Sequence, residues 1–302
     1  MPAAQRMIEE TRARTSRPFN VNVFCHCAAQ RDAAAEAAWL VHLTPFFEEF
    51  GGAPPVELRE IYTSFGDDED MFRMLLASRP PIISFHFGFP GAERLAAFRD
   101  AGIRTMATAT SPQEAELIER AGIDVIVAQG IEAGGHRGLF EIDQHDAALS
   151  TSVLVSILTK RIRIPVIAAG GIMDGRGITA ALDLGAAGAQ MGTAFILCPE
   201  SAADAAYRAA LKSERAYDTR LTSAISGRPA RGLVNRLMLA GIALGCPAVP
   251  AYPVAYDAAK ALHAAAFAKG SSDFAAQWAG QGASLARERP AAKLVEELIG
   301  EM

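Results

Sequence analysis

The sequence Asp124-Val-Ile-Val-Ala-Gln-Gly-Ile-Glu-Ala-Gly-Gly-His-Arg-Gly138 joins a short apolar run to a glycine-rich loop. The run 124–127 predicts a strand that is buried on both faces, so the loop begins where that strand ends. Four glycines within 128–138 let the backbone approach a ligand closely, because no Cβ stands in the way. His136 is then a titratable group held beside whatever binds there. The combination predicts an active site at the carboxyl end of a strand.

The strand-then-helix pattern recurs on both sides of this stretch. Short apolar runs, separated mostly by helix-like segments with start and stop signals, occupy residues 19–24, 82–87, 104–109, 165–169 and 189–195. This alternation predicts parallel βαβ units, in an open doubly wound sheet or in a TIM (β/α)8 barrel. Chemically distinctive residues after several successive strands favour the barrel, because all of its βα loops face one end.

The strands that can be recognised number six, whereas a closed barrel has eight. The chain opens on Met7–Arg14, which has the composition of a helix already under way. We therefore expect residues 1–200 to form a barrel core that is incomplete at the N-terminus. Residues 201–302 are expected to form a mostly helical extension over the barrel mouth, with helices at 202–213 and 256–267.

Composition limits the classes of function. The net charge of −5 argues against nucleic acid or an anionic membrane as the main partner. No apolar run approaches the roughly 20 residues that span a bilayer, and the N-terminus lacks the apolar core of a signal peptide.

The four cysteines are Cys25, Cys27, Cys198 and Cys246. The sequence Cys25-His26-Cys27 has no second ligand pair at zinc spacing, so we expect no metal, and structural thiols in a reducing cytoplasm.

Two glycine-bearing loops follow the last two predicted strands. Gly170 and Gly171 lead into a helix, an arrangement that binds phosphate through backbone N–H groups and the helix N-terminus. The segment 190–193 ends the next strand, so its N–H groups and the Thr193 hydroxyl are expected to reach the same phosphate.

These motifs resemble the nitronate monooxygenases (2-nitropropane dioxygenases), which are FMN-dependent TIM-barrel proteins. The resemblance covers nearly the whole chain and is carried by residues 18–24, 84–88, 128–138, 165–172, 188–195, 226–232 and 278–282. It implies oxidation of an alkyl nitronate, such as propionate 3-nitronate, by FMN and O2 to a carbonyl compound and nitrite. The family begins with two further strands, including an Ala-Pro-Met segment that contacts the flavin, and this chain is expected to lack both.

The resemblance also implies roles for individual residues. His136 matches the family's catalytic histidine, which would take a proton from the carbon beside a nitro group or lie against an anionic nitronate. Trp278 matches a segment near the flavin. The residues expected to bind FMN are Asn22, Gln129, Gly134, Gly135, Gly170, Gly171, Gln190, Met191, Gly192, Thr193 and Gln281.

Substrate contacts are expected from a second group of residues. Tyr252, Tyr256 and Lys260 are spaced by four, so on one helix they would share a face and bind a small anion such as a nitroalkanoate carboxylate. His86 follows a strand, and it is interpreted either as a substrate contact or as a core histidine. Arg228 and Arg231 are interpreted as solvent-facing loop charges as readily as site residues.

Two alternatives remain open. One is an FMN-dependent NAD(P)H reductase of the same superfamily, an enoyl-thioester reductase or an NADH:quinone reductase. The other is an inactive or partner-completed barrel fragment. The expected partners are a small nitronate or nitroalkane and O2, with no nucleic acid and no membrane, and a homodimer is one candidate assembly.

Overall fold

The computed structural model describes residues 2–302 and places nine strands among them. The strands are β1 Asn20–Phe24, β2 Ile82–His86, β3 Arg104–Ala109, β4 Val125–Gln129, β5 Gly135–His136, β6 Val166–Ala169, β7 Gly188–Gln190, β8 Thr219–Thr222 and β9 Ala230–Leu233. Six of them form one parallel sheet in the order β1-β2-β3-β4-β6-β7. The α/β fold of barrel type is therefore confirmed, as a half-barrel of six strands.

Helices connect the strands and cover the sheet. They are α1 Pro2–Arg14, α2 Ala33–Glu49, α3 Glu69–Ser78, α4 Ala92–Asp100, α5 Pro112–Arg120, α6 Thr151–Arg161, α7 Gly175–Asp183, α8 Ala205–Leu211, α9 Arg236–Ala240, α10 Val254–Phe267 and α11 Ala291–Glu301. No helix within residues 2–302 has both the length and the apolar character needed to cross a membrane.

All six strands predicted from the apolar runs are present, with small changes at their ends. The last is shorter than predicted: β7 ends at Gln190, and a 3₁₀ turn occupies Thr193–Phe195. The chain leaves the sheet there because it turns to line the cavity described below.

The main hydrophobic core lies between the outer face of the sheet and helices α3 to α7. Phe85, Ile126 and Leu154 are fully buried in it. The central strands β3 and β4 are almost entirely buried, as expected for strands covered on both faces.

Residues 201–302 contain helices α8 to α11, two of which lie near the predicted segments 202–213 and 256–267, and they also supply two strands. β9 pairs antiparallel with β8 and with β5, which belongs to the glycine-rich loop. α10 packs against α2, where Trp39 and Leu262 are buried, and α11 packs its Leu294 and Leu298 against Ile178 of α7. The C-terminal part is therefore joined to the barrel at several places.

Candidate active site

A cavity of about 640 Å³ opens at the carboxyl ends of the parallel strands. Its volume lies within the range of roughly 300–1,000 Å³ that is typical of small-molecule sites. Most of the residues predicted to form the site line this one cavity: Asn22, His86, Gln129, Gly134, Gly135, His136, Gly170, Gly171, Gln190, Met191, Gly192, Thr193, Tyr252 and Tyr256.

His136 lies on the cavity wall and is held by β5, which pairs it with Ala230 of β9. Its ring is surrounded by aromatic side chains, with Trp278 at 5.3 Å and Phe87 and Tyr252 each at 5.6 Å between ring centroids. Burial lowers the pKa of His136 to about 3, with further lowering by the neighbouring His86 and Arg228. The imidazole is therefore neutral at pH 7.

His86 and Gln129 fix the backbone of the catalytic candidate. The Nε2 of each donates to the His136 carbonyl, at 3.1 Å from His86 and 2.9 Å from Gln129. The other His86 nitrogen contacts the Thr108 hydroxyl at 3.1 Å, and burial lowers the pKa of His86 to about 4. Both ring nitrogens are thus engaged within the protein, which favours the core interpretation of His86 over a substrate contact.

Gln129 also accepts the Gly138 N–H through its Oε1, at 2.8 Å. One hydrogen of its amide group remains free of protein partners within residues 2–302, so the predicted contact with a flavin is still sterically open to it.

Three buried arginines hold the carbonyls of the glycine-rich loop. Arg137 pairs with Asp146 at 2.8 Å and donates to the Gln129 carbonyl. Arg231 donates to the Ile131 carbonyl at 3.1 Å, and Arg228 donates to the Leu139 carbonyl.

The interpretation of Arg228 and Arg231 as solvent-facing charges is wrong. Their exposed fractions are 2% and 6%. The physical reason is that an irregular buried loop presents carbonyls that need donors, and a guanidinium has several.

The two phosphate-loop candidates converge in the cavity, since β6 and β7 are neighbours in the sheet. The N–H groups of Gly170, Gly171 and Gly192 have no hydrogen-bond acceptor within residues 2–302. Gly170 has φ +124°, and a Cβ there would lie 2.7 Å from the Thr151 Oγ1. The loop therefore needs glycine and leaves three amides free, which fits a phosphate of a cofactor such as FMN.

The helix N-terminus behind this loop is not free, contrary to the prediction. The Asp174 carboxylate caps α7 by accepting from the Gly177 N–H at 2.7 Å. The Glu301 carboxylate accepts from the Gly175 N–H at 2.9 Å, a contact that sequence alone could not reveal. A phosphate would therefore depend on the loop amides rather than on the α7 N-terminus.

Of the other residues predicted to bind the cofactor, Thr193 and Asn22 line the main cavity, whereas Gln281 does not. The Thr193 Oγ1 accepts from the Gly280 N–H at 3.0 Å and keeps its own hydrogen to donate. The Asn22 carbonyl oxygen accepts from the Ser84 hydroxyl at 2.9 Å, which leaves its amide hydrogens free. Gln281, however, lines a neighbouring cavity of about 300 Å³.

Of the substrate candidates, His86, Tyr252 and Tyr256 line the cavity, whereas Lys260 does not. Tyr252 precedes α10, which begins at Val254, so the prediction that it shares the helix face is wrong. Its ring reaches the cavity because a turn ahead of the helix directs it there. Burial raises the pKa values of Tyr252 and Tyr256, so both phenols stay protonated at pH 7.

Tyr62 is a cavity residue that the sequence analysis missed. The Lys260 ammonium donates to the Tyr62 hydroxyl and lies 4.6 Å from the Tyr62 ring and 5.4 Å from the Tyr256 ring. No motif surrounds Tyr62, so only the fold could bring it to the site. The described residues contain no cluster of three histidine, cysteine or acidic side chains suited to hold a metal.

Comparisons with known proteins agree with this architecture. The family model described as nitronate monooxygenase matches residues 3–301. The chain is 57% identical over 296 residues to a nitronate monooxygenase of Pseudomonas aeruginosa, covering 98% of this chain and 84% of that protein. It is 54% identical over 299 residues to one of Paraburkholderia phytofirmans, covering 99% and 82%. A crystal structure of nitroalkane oxidase from Streptomyces ansochromogenes has a TM-score of 0.87 and 40% identity, covering 97% of this chain and 83% of that one.

Proposed function

The chain belongs to the nitronate monooxygenase family of oxidoreductases, and from that premise we propose that it oxidises alkyl nitronates with FMN and O2 to a carbonyl compound and nitrite. The observation that carries the proposal is the lining of the cavity. Free backbone amides, a neutral histidine and the phenols of Tyr62 and Tyr256 face the same space, and the Lys260 ammonium is bonded to the Tyr62 hydroxyl.

FMN fits the residues that line the cavity. The amides of Gly170, Gly171 and Gly192 would hold its phosphate, and the amide groups of Asn22 and Gln129 would face its ring. Bound there, FMN would supply the redox chemistry, accepting electrons from the nitronate and passing them to O2. The protein's part is to bind, orient and manage protons.

His136 would act at the reacting carbon. A neutral imidazole can accept a proton from the carbon beside a nitro group, and it presents no positive charge that would hold a nitronate in an unproductive ion pair. Phe87, Tyr252 and Trp278 pack around the imidazole. They limit the access of water to it, and their contacts hold the ring in one orientation.

Tyr62, Tyr256 and Lys260 would bind the far end of the substrate. Lys260 is the cation among them, and each phenol has a hydroxyl hydrogen to donate. Such a group suits a carboxylate, so a nitronate that carries one, such as propionate 3-nitronate, is the preferred substrate class.

The test measures oxygen uptake and nitrite release with propionate 3-nitronate in protein saturated with FMN. We expect both in near-constant ratio without any nicotinamide. NADH-dependent bleaching of the flavin under anaerobic conditions, together with no nitrite from the nitronate, would instead favour the reductase alternative. Protein that neither retains added FMN nor releases nitrite would favour the inactive fragment.

A further inference from the structure

Ser226 is fully buried and its hydroxyl contacts three polar groups around the candidate base. The Oγ lies 2.8 Å from the His136 Nε2, 3.1 Å from the Arg228 carbonyl oxygen and 3.3 Å from the Arg228 backbone nitrogen. A serine hydroxyl has one hydrogen to donate and two lone pairs to accept. Which group receives the hydrogen decides where the proton of His136 lies.

The Arg228 carbonyl requires that hydrogen. Arg228 is 2% exposed, and within residues 2–302 its carbonyl has no donor other than the Ser226 hydroxyl. A buried carbonyl left without a donor is unfavourable, because its hydration is lost without replacement. The Ser226 hydrogen is therefore directed to Arg228.

With its hydrogen committed, the Ser226 Oγ can only accept from its other two neighbours. The Arg228 N–H supplies one hydrogen and the His136 Nε2 must supply the other. This assignment satisfies every donor and acceptor of the hydroxyl at once. The opposite assignment, in which serine donates to the imidazole, leaves the Arg228 carbonyl unpaired.

The backbone around Ser226 holds this geometry. Gly227 has φ +92°, and a Cβ there would lie 2.4 Å from the Tyr252 nitrogen. The turn is thus packed directly against the segment that carries Tyr252, which leaves the hydroxyl little freedom to move.

We propose that Ser226 is a positioning residue that keeps His136 in its Nε2–H tautomer and leaves Nδ1 as the atom that exchanges protons in the cavity. The His136 Nδ1 has no hydrogen-bond partner within residues 2–302, and it is not among the buried unpaired atoms, so it is accessible from the cavity. When Nδ1 takes up a proton, the Nε2–H bond to Ser226 persists unchanged. The proton transfer then needs no rearrangement of the buried side.

The role of the His136 Nδ1 in proton exchange rests on the proposed function. The assignment of the His136 tautomer does not, because it follows from the hydrogen bonds of Ser226 alone. Two-bond ¹⁵N–¹H correlation spectra of histidine-labelled protein read the tautomer directly, with His136→Asn used to assign the signal. We expect the Nε2–H pattern for His136 at pH 7.5 in the wild-type protein, with and without added FMN. The Nδ1–H pattern in wild-type protein overturns the proposal, and the only variant that this arm needs is the one that assigns the signal.

Ser226→Ala provides the second arm. We expect the His136 signal to move toward a mixture of tautomers. We also expect kcat with the nitroalkane 3-nitropropionate, which must lose a proton from the carbon beside its nitro group, to fall about 2- to 12-fold, the effect of losing one neutral hydrogen bond, at unchanged KM. Ser111→Ala is the matched control, since it removes a hydroxyl that caps α5. It should leave both the tautomer and kcat unchanged. A Ser226→Ala spectrum identical to that of the wild type also overturns the proposal.

These outcomes separate the two ideas. Wild-type protein that shows the Nε2–H tautomer but releases no nitrite refutes the proposed function and leaves the positioning role of Ser226 intact. Nitrite release together with the Nδ1–H tautomer supports the proposed function and refutes the positioning role of Ser226.

Discussion

Replacing Gly192 by alanine should weaken FMN binding without destabilising the protein. The backbone φ of −111° suits any residue, and a Cβ built there meets no atom within 4 Å. The added methyl group would instead occupy space beside a cavity-lining amide and keep a phosphate from approaching it. A hydrogen bond to a charged group contributes about 1.5–3 kcal/mol. Its loss raises Kd about 10- to 140-fold, which a titration that follows flavin fluorescence quenching can measure.

Two further glycines separate this steric effect from backbone strain. Gly170→Ala should lower both the affinity for FMN and the free energy of unfolding. Its φ of +124° is unfavourable for other residues, and the new Cβ would lie 2.7 Å from the Thr151 Oγ1 and 3.1 Å from the Ala133 nitrogen. Strain of this kind costs about 1–3 kcal/mol, which urea unfolding of the FMN-free protein can detect. Gly188→Ala is the control, because a Cβ there meets nothing within 4 Å and the residue precedes the loop.

The reasoning is refuted if Gly192→Ala binds FMN as tightly as the wild-type protein does. That result would mean that the ligand does not approach the loop after β7, whatever happens at Gly170. A loss of stability in Gly192→Ala equal to that of Gly170→Ala would show instead that the alanine variant perturbs the fold.

Three further predictions concern the titratable groups of the site. His136→Asn should lower kcat/KM with a neutral nitroalkane such as 2-nitropropane about 10²- to 10⁴-fold, the usual effect of removing a general base, because the proton on the carbon beside the nitro group must then leave without it. The FMN titration should be unchanged, and full activity with the nitroalkane would exclude the assigned role. Lys260→Met should raise KM for propionate 3-nitronate about 1.4- to 5-fold, because an exposed ion pair contributes about 0.2–1 kcal/mol. The nitronate of 2-nitropropane has no carboxylate to pair with Lys260, so its KM should be unaltered. Burial lowers the pKa values of His86 and His136 from 6.5 to about 4 and about 3, so the unfolded chain binds more protons below pH 6.5. The free energy of unfolding should therefore be fully retained above pH 6.5 and decrease as pH falls toward 4, by up to about 1.4 kcal/mol per pH unit for each histidine, and His86→Asn should reduce this slope in urea titrations.

The positions of the strands could be predicted from the sequence because their signals are local. Several apolar runs are preceded by a helix stop such as Gly102 or Gly122, and both glycines have positive φ in the structure. The convergence of the loops at 170–171 and 190–193 follows from the rule that parallel strands place their carboxyl ends at one edge. Those inferences need no knowledge of distant contacts.

The parts of the site that were missed depend on contacts between distant segments. The pairing of β5 with β9 involves only two residues of the loop, too few to leave a pattern of alternation. The Glu301 carboxylate reaches the Gly175 N–H across 126 residues of sequence. Tyr62 enters the cavity beside Lys260 for the same reason, because the fold and not the local sequence brings them together.

The buried arginines connect the shape of the loop with its electrostatics. The glycine-rich loop has many carbonyls that need donors. Arg137 from within the loop and Arg228 and Arg231 from outside it donate to carbonyls in the loop and next to it. Arg137 is neutralised by Asp146, whereas Arg228 and Arg231 form no ion pair within residues 2–302. Two positive charges therefore remain close to the cavity in a medium where charges interact more strongly than in water. The Arg228 guanidinium, 4.1 Å from the Phe87 ring, lowers the pKa of His136 further after the dominant effect of burial. Burial is thus the main reason that the base stays neutral, and the arginines that rigidify the loop make the site favourable for an anion, which is the charge state of a nitronate.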